Sequence, residues 1–269
     1  MIFLFSILVV HRSLAQVNKE WVNLDIDLIN NVRALDKQNL KEIEAFFIDK
    51  KYPNPKTNLG FGWSTFSLPV DRAGGYTSVY ADLYYLNDSL TSYILRCHVP
   101  HDSLLWRQYM EMYWDVFTPD SNAVFFYKYN EDALVQTIGE IAPSLKVDTV
   151  PWEVLDYMSP SSGLVYGDRG GISGSLLQNR RYFNALKHEL TYEQVILLMH
   201  SLNPASRFTA IEYYQRHKKR FSPDAKIDAW IKKVYDEVPI IATMSGCSMG
   251  ERSSRELVSK FSKLKRDPE

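Results

Sequence analysis

Two runs that favour extended backbone, Tyr76–Leu86 and Thr91–Val99, flank the turn-forming residues Asn87-Asp-Ser-Leu90. Tyr, Val, Thr and Leu suit a pleated, half-buried surface, and short polar side chains at a reversal can bond their own backbone. The segment therefore predicts a β-hairpin. A lone hairpin is marginal in water, so this feature commits its surroundings to an antiparallel sheet with other elements packed on it. In the second run Tyr93, Leu95, Cys97 and Val99 fall on one face, and Ser92, Ile94, Arg96 and His98 on the other, so the Cys97 face should point inward.

Helical patterns surround this hairpin. Residues 36–51 place Leu40, Ile43, Phe46 and Phe47 at helical spacing behind Asp36, which can cap, and Pro53 and Pro55 follow as stops. His101-Asp-Ser103 offers caps for a helix through Leu105, Tyr109, Met112, Tyr113 and Val116, closed by Pro119. A strand is expected at 122–129, a short helix near 131–141, and a further helix from Pro151 to about Met158. Five of the chain's twelve glycines, Gly163, Gly167, Gly170, Gly171 and Gly174, then mark a loop. Beyond it Thr191–Leu202, Asn203–His217 and Ser222–Val238 each begin with a capping residue, and the last two carry Pro next.

Within this last stretch a Leu-rich helix is followed by Asn203-Pro-Ala-Ser-Arg207 and an Ala-containing second helix, so residues 191–217 resemble one unit of a HEAT-like helical repeat. The resemblance covers about 30 residues, and it implies an αα-hairpin with Arg207 reaching a neighbouring turn or an acidic group. The fold class expected is α+β: an antiparallel hairpin-containing sheet with helices over 16–160, a Gly-rich loop over 161–180, a mostly helical portion over 181–250, and a basic amphipathic tail over 251–269.

The chain opens on an apolar run, Ile2–Val10, too short to span a bilayer, followed by Ser13-Leu-Ala15. Small residues at those positions suit cleavage before Gln16, so residues 1–15 read as a signal peptide and the protein as secreted or periplasmic. An oxidising compartment would permit a disulfide between Cys97 and Cys247, while the apolar strand face would equally suit Cys97 as a free thiol. Thirty-one Lys+Arg against thirty-two Asp+Glu provide no overall field for nucleic acid, and the basic runs Arg216–Arg220 and Lys260–Arg266 read as a helix terminus and an amphipathic tail.

Catalytic signatures fall short. Cys97, His98, His101 and Asp102 are zinc-compatible types, but strand parity sends Cys97 and His98 to opposite faces. His188-Glu189 and His200 lack the i, i+4 spacing of a zinc-protease helix, and Gly171-Ile-Ser-Gly-Ser175 has Ser where a nucleophile elbow needs Gly. No metal or cofactor is expected. The function expected is noncatalytic binding, of a glycan or protein, or an envelope-associated role; the alternative is an extracytoplasmic hydrolase using the Gly-rich loop. Candidate ligand-binding residues are Asp168, Arg169 and Ser173 in that loop, whose amides could hold an anion, and the less periodic aromatics Trp63, Trp152 and Tyr166, together with Tyr76 and Tyr84.

Overall fold

The computed structural model describes residues 17–48, 56–66, 70–99, 103–113, 118–120, 123–130, 132, 150–218 and 224–263. The proposed signal peptide, residues 1–15, thus falls outside the described residues, as does the expected helix near 131–141 apart from position 132.

The expected hairpin lies at the centre of a seven-stranded antiparallel sheet. Strands β1 (Lys56–Gly60), β2 (Trp63–Phe66), β3 (Val70–Ala73), β4 (Ser78–Leu86), β5 (Ser89–His98), β6 (Thr118–Asp120) and β7 (Ala123–Tyr129) run in the order β1-β2-β4-β5-β7-β6. Strand β3 also pairs with β4, so β2 and β3 share one edge of that long strand, at Tyr84–Leu86 and Ser78–Ala81 respectively. The β4–β5 turn is tight: Asn87 and Asp88 both have positive φ, 48° and 64°, the combination that matches the twist of the flanking strands.

One face of the sheet carries Val79, Ala81, Leu83, Tyr85, Tyr93, Leu95 and Cys97, as strand parity requires. Helices α1 (Lys19–Ala34), α2 (Leu40–Phe47) and α3 (Ser103–Met112) share a core with it, through residues including Ile29, Val32, Ile43, Phe47 and Tyr109. Helix α1 was not expected from the sequence. Its inward stripe of Val22, Ile29 and Val32 is interrupted by Asp25, a fully buried acid. The Asp25 carboxylate accepts bonds from the Gly75, Tyr76 and Thr77 amides at 2.6–3.0 Å and from the Tyr109 hydroxyl at 2.6 Å, clamping the β3–β4 loop. A Cβ on Gly75 would lie 2.2 Å from the Trp21 carbonyl oxygen, so only glycine admits this close approach.

The C-terminal half is a second layer with its own core. It contains α4 (Trp152–Met158), α5 (Gln178–Leu186), α6 (Tyr192–Leu198), α7 (Pro204–Arg216), α8 (Ala225–Glu237) and α9 (Ser254–Lys263). Thr191 forms a reciprocal capping box with Gln194, and Asn203 caps α7 ahead of Pro204, so both of these expected helix starts are present. Helix α8 is capped by Asp224 rather than Ser222. Helix α4, expected in the N-terminal portion, packs instead in this core through Val154, Tyr157 and Met158. The expected helical portion also holds strands: β8 (Arg169–Gly170) pairs with β9 (Ser175–Leu176), and β10 (Ile240–Ser245) with β11 (Ser248–Ser253). Of the expected tail, residues 251–253 end β11 and 254–263 form α9, with Val258 buried and Leu257 and Phe261 against the same core.

The two layers are joined at the β1–β2 turn. Gly60, Phe61 and Gly62 all have positive φ, and the turn projects Phe61 onto the Trp230 ring, with centroids 5.2 Å apart. The Phe61 amide donates to Glu237 Oε2 at 2.9 Å, and Asn58 Nδ2 to the Glu237 carbonyl at 3.1 Å. Arg207, completely buried, donates to the Ser201 carbonyl through Nε and Nη2 and to the Leu59 carbonyl through Nη1, and lies 4.8 Å from the Phe61 ring centre. Leu59, Trp63, Tyr84, Ile94 and Leu202 close the adjoining apolar contact.

The possible disulfide is corrected. Cys97 is a buried free thiol within the first core, and Cys247 is an exposed free thiol in the β10–β11 turn. Burial, reinforced by the Asp25 charge, pushes the Cys97 thiol up to about 12.

Candidate functional site

The face of the sheet opposite α1–α3 is only partly covered by the helical layer. Parity places Asp82 and Tyr84 of β4 and Ile94 and Arg96 of β5 on it. Because Asp82 is directly opposite Ile94, Arg96 is its diagonal neighbour, within reach of a long side chain. Their charged ends form an ion pair, with 14% of the Asp82 side chain and 32% of the Arg96 side chain exposed. Burial pushes the Asp82 carboxyl above the usual carboxylate range, against the lowering pull of Arg96. Arg96 Nε is sealed from solvent without a hydrogen-bond partner.

This pair lies in a cleft of about 400 Å³ between the layers. Thr65, Phe66 and Tyr84 line its sheet side; Ser161, Gly163, Leu164, Val165 and Leu177–Asn179 line the helical side, and Met249 of β11 completes it. The volume falls within the range of small-ligand sites, and the mixture of apolar surface with a few polar groups is also typical of them.

The helical wall is fixed from behind. Asn203 Nδ2 is placed for the Ser159 carbonyl, Ser162 Oγ and Gly163 carbonyl at 2.9–3.2 Å, while its Oδ1 caps α7. Asn179 donates to Ser206 Oγ at 2.7 Å and accepts from the Tyr157 hydroxyl at 3.0 Å. Gln178 Nε2 holds the Ser161 carbonyl at 3.0 Å. A network with so many satisfied members holds its shape without a ligand.

Beneath this wall is a buried charge cluster. Glu212 on α7 pairs with Arg180 on α5, accepts from the Tyr166 hydroxyl at 2.9 Å, and lies 3.0 Å from Arg216 Nη2. Burial works against the Arg180 cation, but Glu212 outweighs it and holds the guanidinium above its ordinary range; burial and Glu212 together push the Tyr166 phenol well up. Arg207 is different: burial lowers its guanidinium to about 9, opposed by Glu237.

Of the sequence-derived candidates Tyr84 lines the cleft, and Trp63, Trp152, Tyr166, Asp168, Arg169 and Ser173 are not among its lining residues. Trp63 and Tyr166 are buried, and their expected role as ligand-facing rings is corrected: one packs between the layers and the other holds Glu212. Trp152 is 71% exposed on α4. Asp168 lies 3.8 Å from Arg180 Nε, Arg169 donates to the Gly174 carbonyl at 3.1 Å, and Ser173 Oγ lies 2.5 Å from Ser175 Oγ. The Ser173 hydroxyl is thus engaged by another serine rather than a histidine. His101 and Asp102 fall outside the described residues, and no group of three or more His, Cys, Asp and Glu side chains among the described residues could hold a metal. No helix among them is long and apolar enough to cross a membrane.

Sequence reasoning missed Asp82, Gln178 and Asn179 as cleft residues. The available signal was Asp82 inside a β-rich run on the same face as Arg96, an opposite-charge pair on a strand face that alternation alone leaves without an explanation. Comparisons of the chain with protein-family models, curated proteins and solved structures gave no match.

Proposed function

We propose that this is a noncatalytic binding protein whose cleft receives a small, uncharged polar ligand of the sugar type. The observation that carries this reading is the Asp82–Arg96 pair on the cleft's sheet side. Together the two side chains present acceptor and donor groups with no net charge, suited to hydroxyl groups and indifferent to ionic ligands. Phe66, Tyr84, Leu164 and Val165 supply apolar surface for the C–H face of a sugar ring. Glycoside hydrolysis ordinarily uses two carboxyl groups, whereas Asp82 is the one carboxylate among the described residues lining the cleft.

The test is calorimetric titration with neutral mono- and disaccharides, uronic acids and amines as comparators, and product analysis after prolonged incubation. Neutral saccharides should bind, and the double variant Asp82→Asn/Arg96→Gln should weaken them at least tenfold. Failure of every neutral saccharide, equal binding by the double variant, or released monosaccharide would overturn the proposal. Export, supported by Ile2–Val10 and Ser13-Leu-Ala15, completes the reading; N-terminal sequencing of the protein from its native host should begin at Gln16.

A further inference from the structure

A second cavity, of about 430 Å³, lies between α6 and α8, and its side chains follow a gradient along the two helices. Tyr192, Glu193, Asp224 and Lys226 occupy one end, Ile196, Met199 and Ile227 the middle, and His200 and Trp230 the other. Glu193 lies in the first turn of α6 and His200 in the turn just past its last residue, Leu198, so the length of that helix, about 10 Å, separates them.

The His200 end is built. Trp230 Nε1 donates to the Met199 carbonyl at 3.0 Å, which fixes the indole, and the imidazole stacks on it with centroids 4.2 Å apart and planes inclined by 17°. His200 Nδ1 is 2.9 Å from the Ile196 carbonyl oxygen. A carbonyl can only accept, so Nδ1 carries the proton and the neutral ring presents a lone pair at Nε2. Burial keeps the ring neutral by lowering its titration to about 4, with Arg207 acting in the same direction. No described residue hydrogen-bonds Nε2, and none forms an ion pair with the Glu193 carboxylate. At the far end, Glu193 and Asp224 against Lys226 leave one net negative charge.

We propose that this groove binds an elongated arylalkylamine: its ammonium group at Glu193, its ring on Ile196, Ile227 and the Trp230 edge, and a terminal O–H or N–H donor at His200 Nε2. The two acceptors are too far apart for one ammonium to meet both, so the ligand needs a polar group at each end of an apolar body. Acidic surface selects the cation, and the fixed lone pair selects a neutral donor.

Three probes separate these requirements in titrations of the full chain: tyramine, phenethylamine without the hydroxyl, and tyrosol without the ammonium. Tyramine should bind about 3- to 10-fold more tightly than either, the range for one hydrogen bond or one partly exposed charge contact. Glu193→Gln should abolish the preference for tyramine over tyrosol. His200→Phe, which retains an aromatic ring against Trp230, should abolish the preference over phenethylamine. Both variants should unfold as the parent does in urea above about pH 7, where His200 is neutral in the folded and unfolded chain alike, and the His200 Nε2 nitrogen resonance should shift on adding tyramine but not phenethylamine. Equal affinities, preferences that survive the substitutions, or no binding by tyramine would overturn the assignment.

Discussion

Replacing Glu212 by Gln changes almost no volume but removes the anion from a deeply buried charge cluster. Arg180 and Glu212 side chains are 2% and 1% exposed, and Arg216 adds a second cation at 3.0 Å. Without the carboxylate, Arg180 keeps a neutral amide oxygen at position 212 and the Gly167 carbonyl, and its remaining anionic neighbour is Asp168, 3.8 Å from its Nε. Breaking a buried pair from one side costs about 3–5 kcal/mol, because the remaining charge stays desolvated. At about 2–4 °C per kcal/mol for a protein of this size, Glu212→Gln should lower Tm by about 6–20 °C. Urea unfolding should show a lower midpoint with an unchanged slope. Arg180→Met/Glu212→Gln should recover part of the loss by removing the stranded cation. If Glu212→Gln falls within about 1 kcal/mol of the parent, or the double variant costs the sum of the singles, buried-charge pairing does not explain this cluster.

Three other outcomes follow from described groups. Gly75→Ala should cost about 2–4 kcal/mol in urea unfolding, because the 2.2 Å approach to the Trp21 carbonyl forces α1 away from the loop that Asp25 binds. His200, lowered from 6.5 to about 4, should make stability fall as pH drops from about 6.5 toward 4, since the unfolded chain takes up the proton first; His200→Phe should remove up to about 3 kcal/mol of that dependence. A thiol reagent at neutral pH should modify exposed Cys247 rapidly and buried Cys97 only after unfolding, giving two titratable thiols without reductant.

Local signals carried the central hairpin and the starts of α6 and α7. Turn and capping chemistry involve neighbours in sequence: Asn87 and Asp88 reverse the chain, Thr191 and Gln194 bond each other, and Asn203 precedes a proline. Helix α1 was obscured because Asp25 interrupts its apolar stripe and finds its partners about fifty residues later. Arg180 and Glu212 look in sequence like ordinary helix-surface charges; only tertiary packing buries them. The loop aromatics misled for a related reason: Trp63 and Tyr166 lack periodic surroundings, yet each fills space where separate elements converge. Strand parity put Arg96 on the outward face, but nothing local revealed that the helical layer would make part of that face a cleft.

The Phe61 turn has a consequence for how ligands would be discriminated. With its backbone bound to Glu237 and its ring held against Trp230 and Arg207, the two jaws around Asp82 have no free hinge at that end. On the proposed reading a guest would enter a slot already cut to width, so little of its binding energy would be diverted into closing the protein. Rival guests should then arrive at similar speeds and differ chiefly in how long they stay.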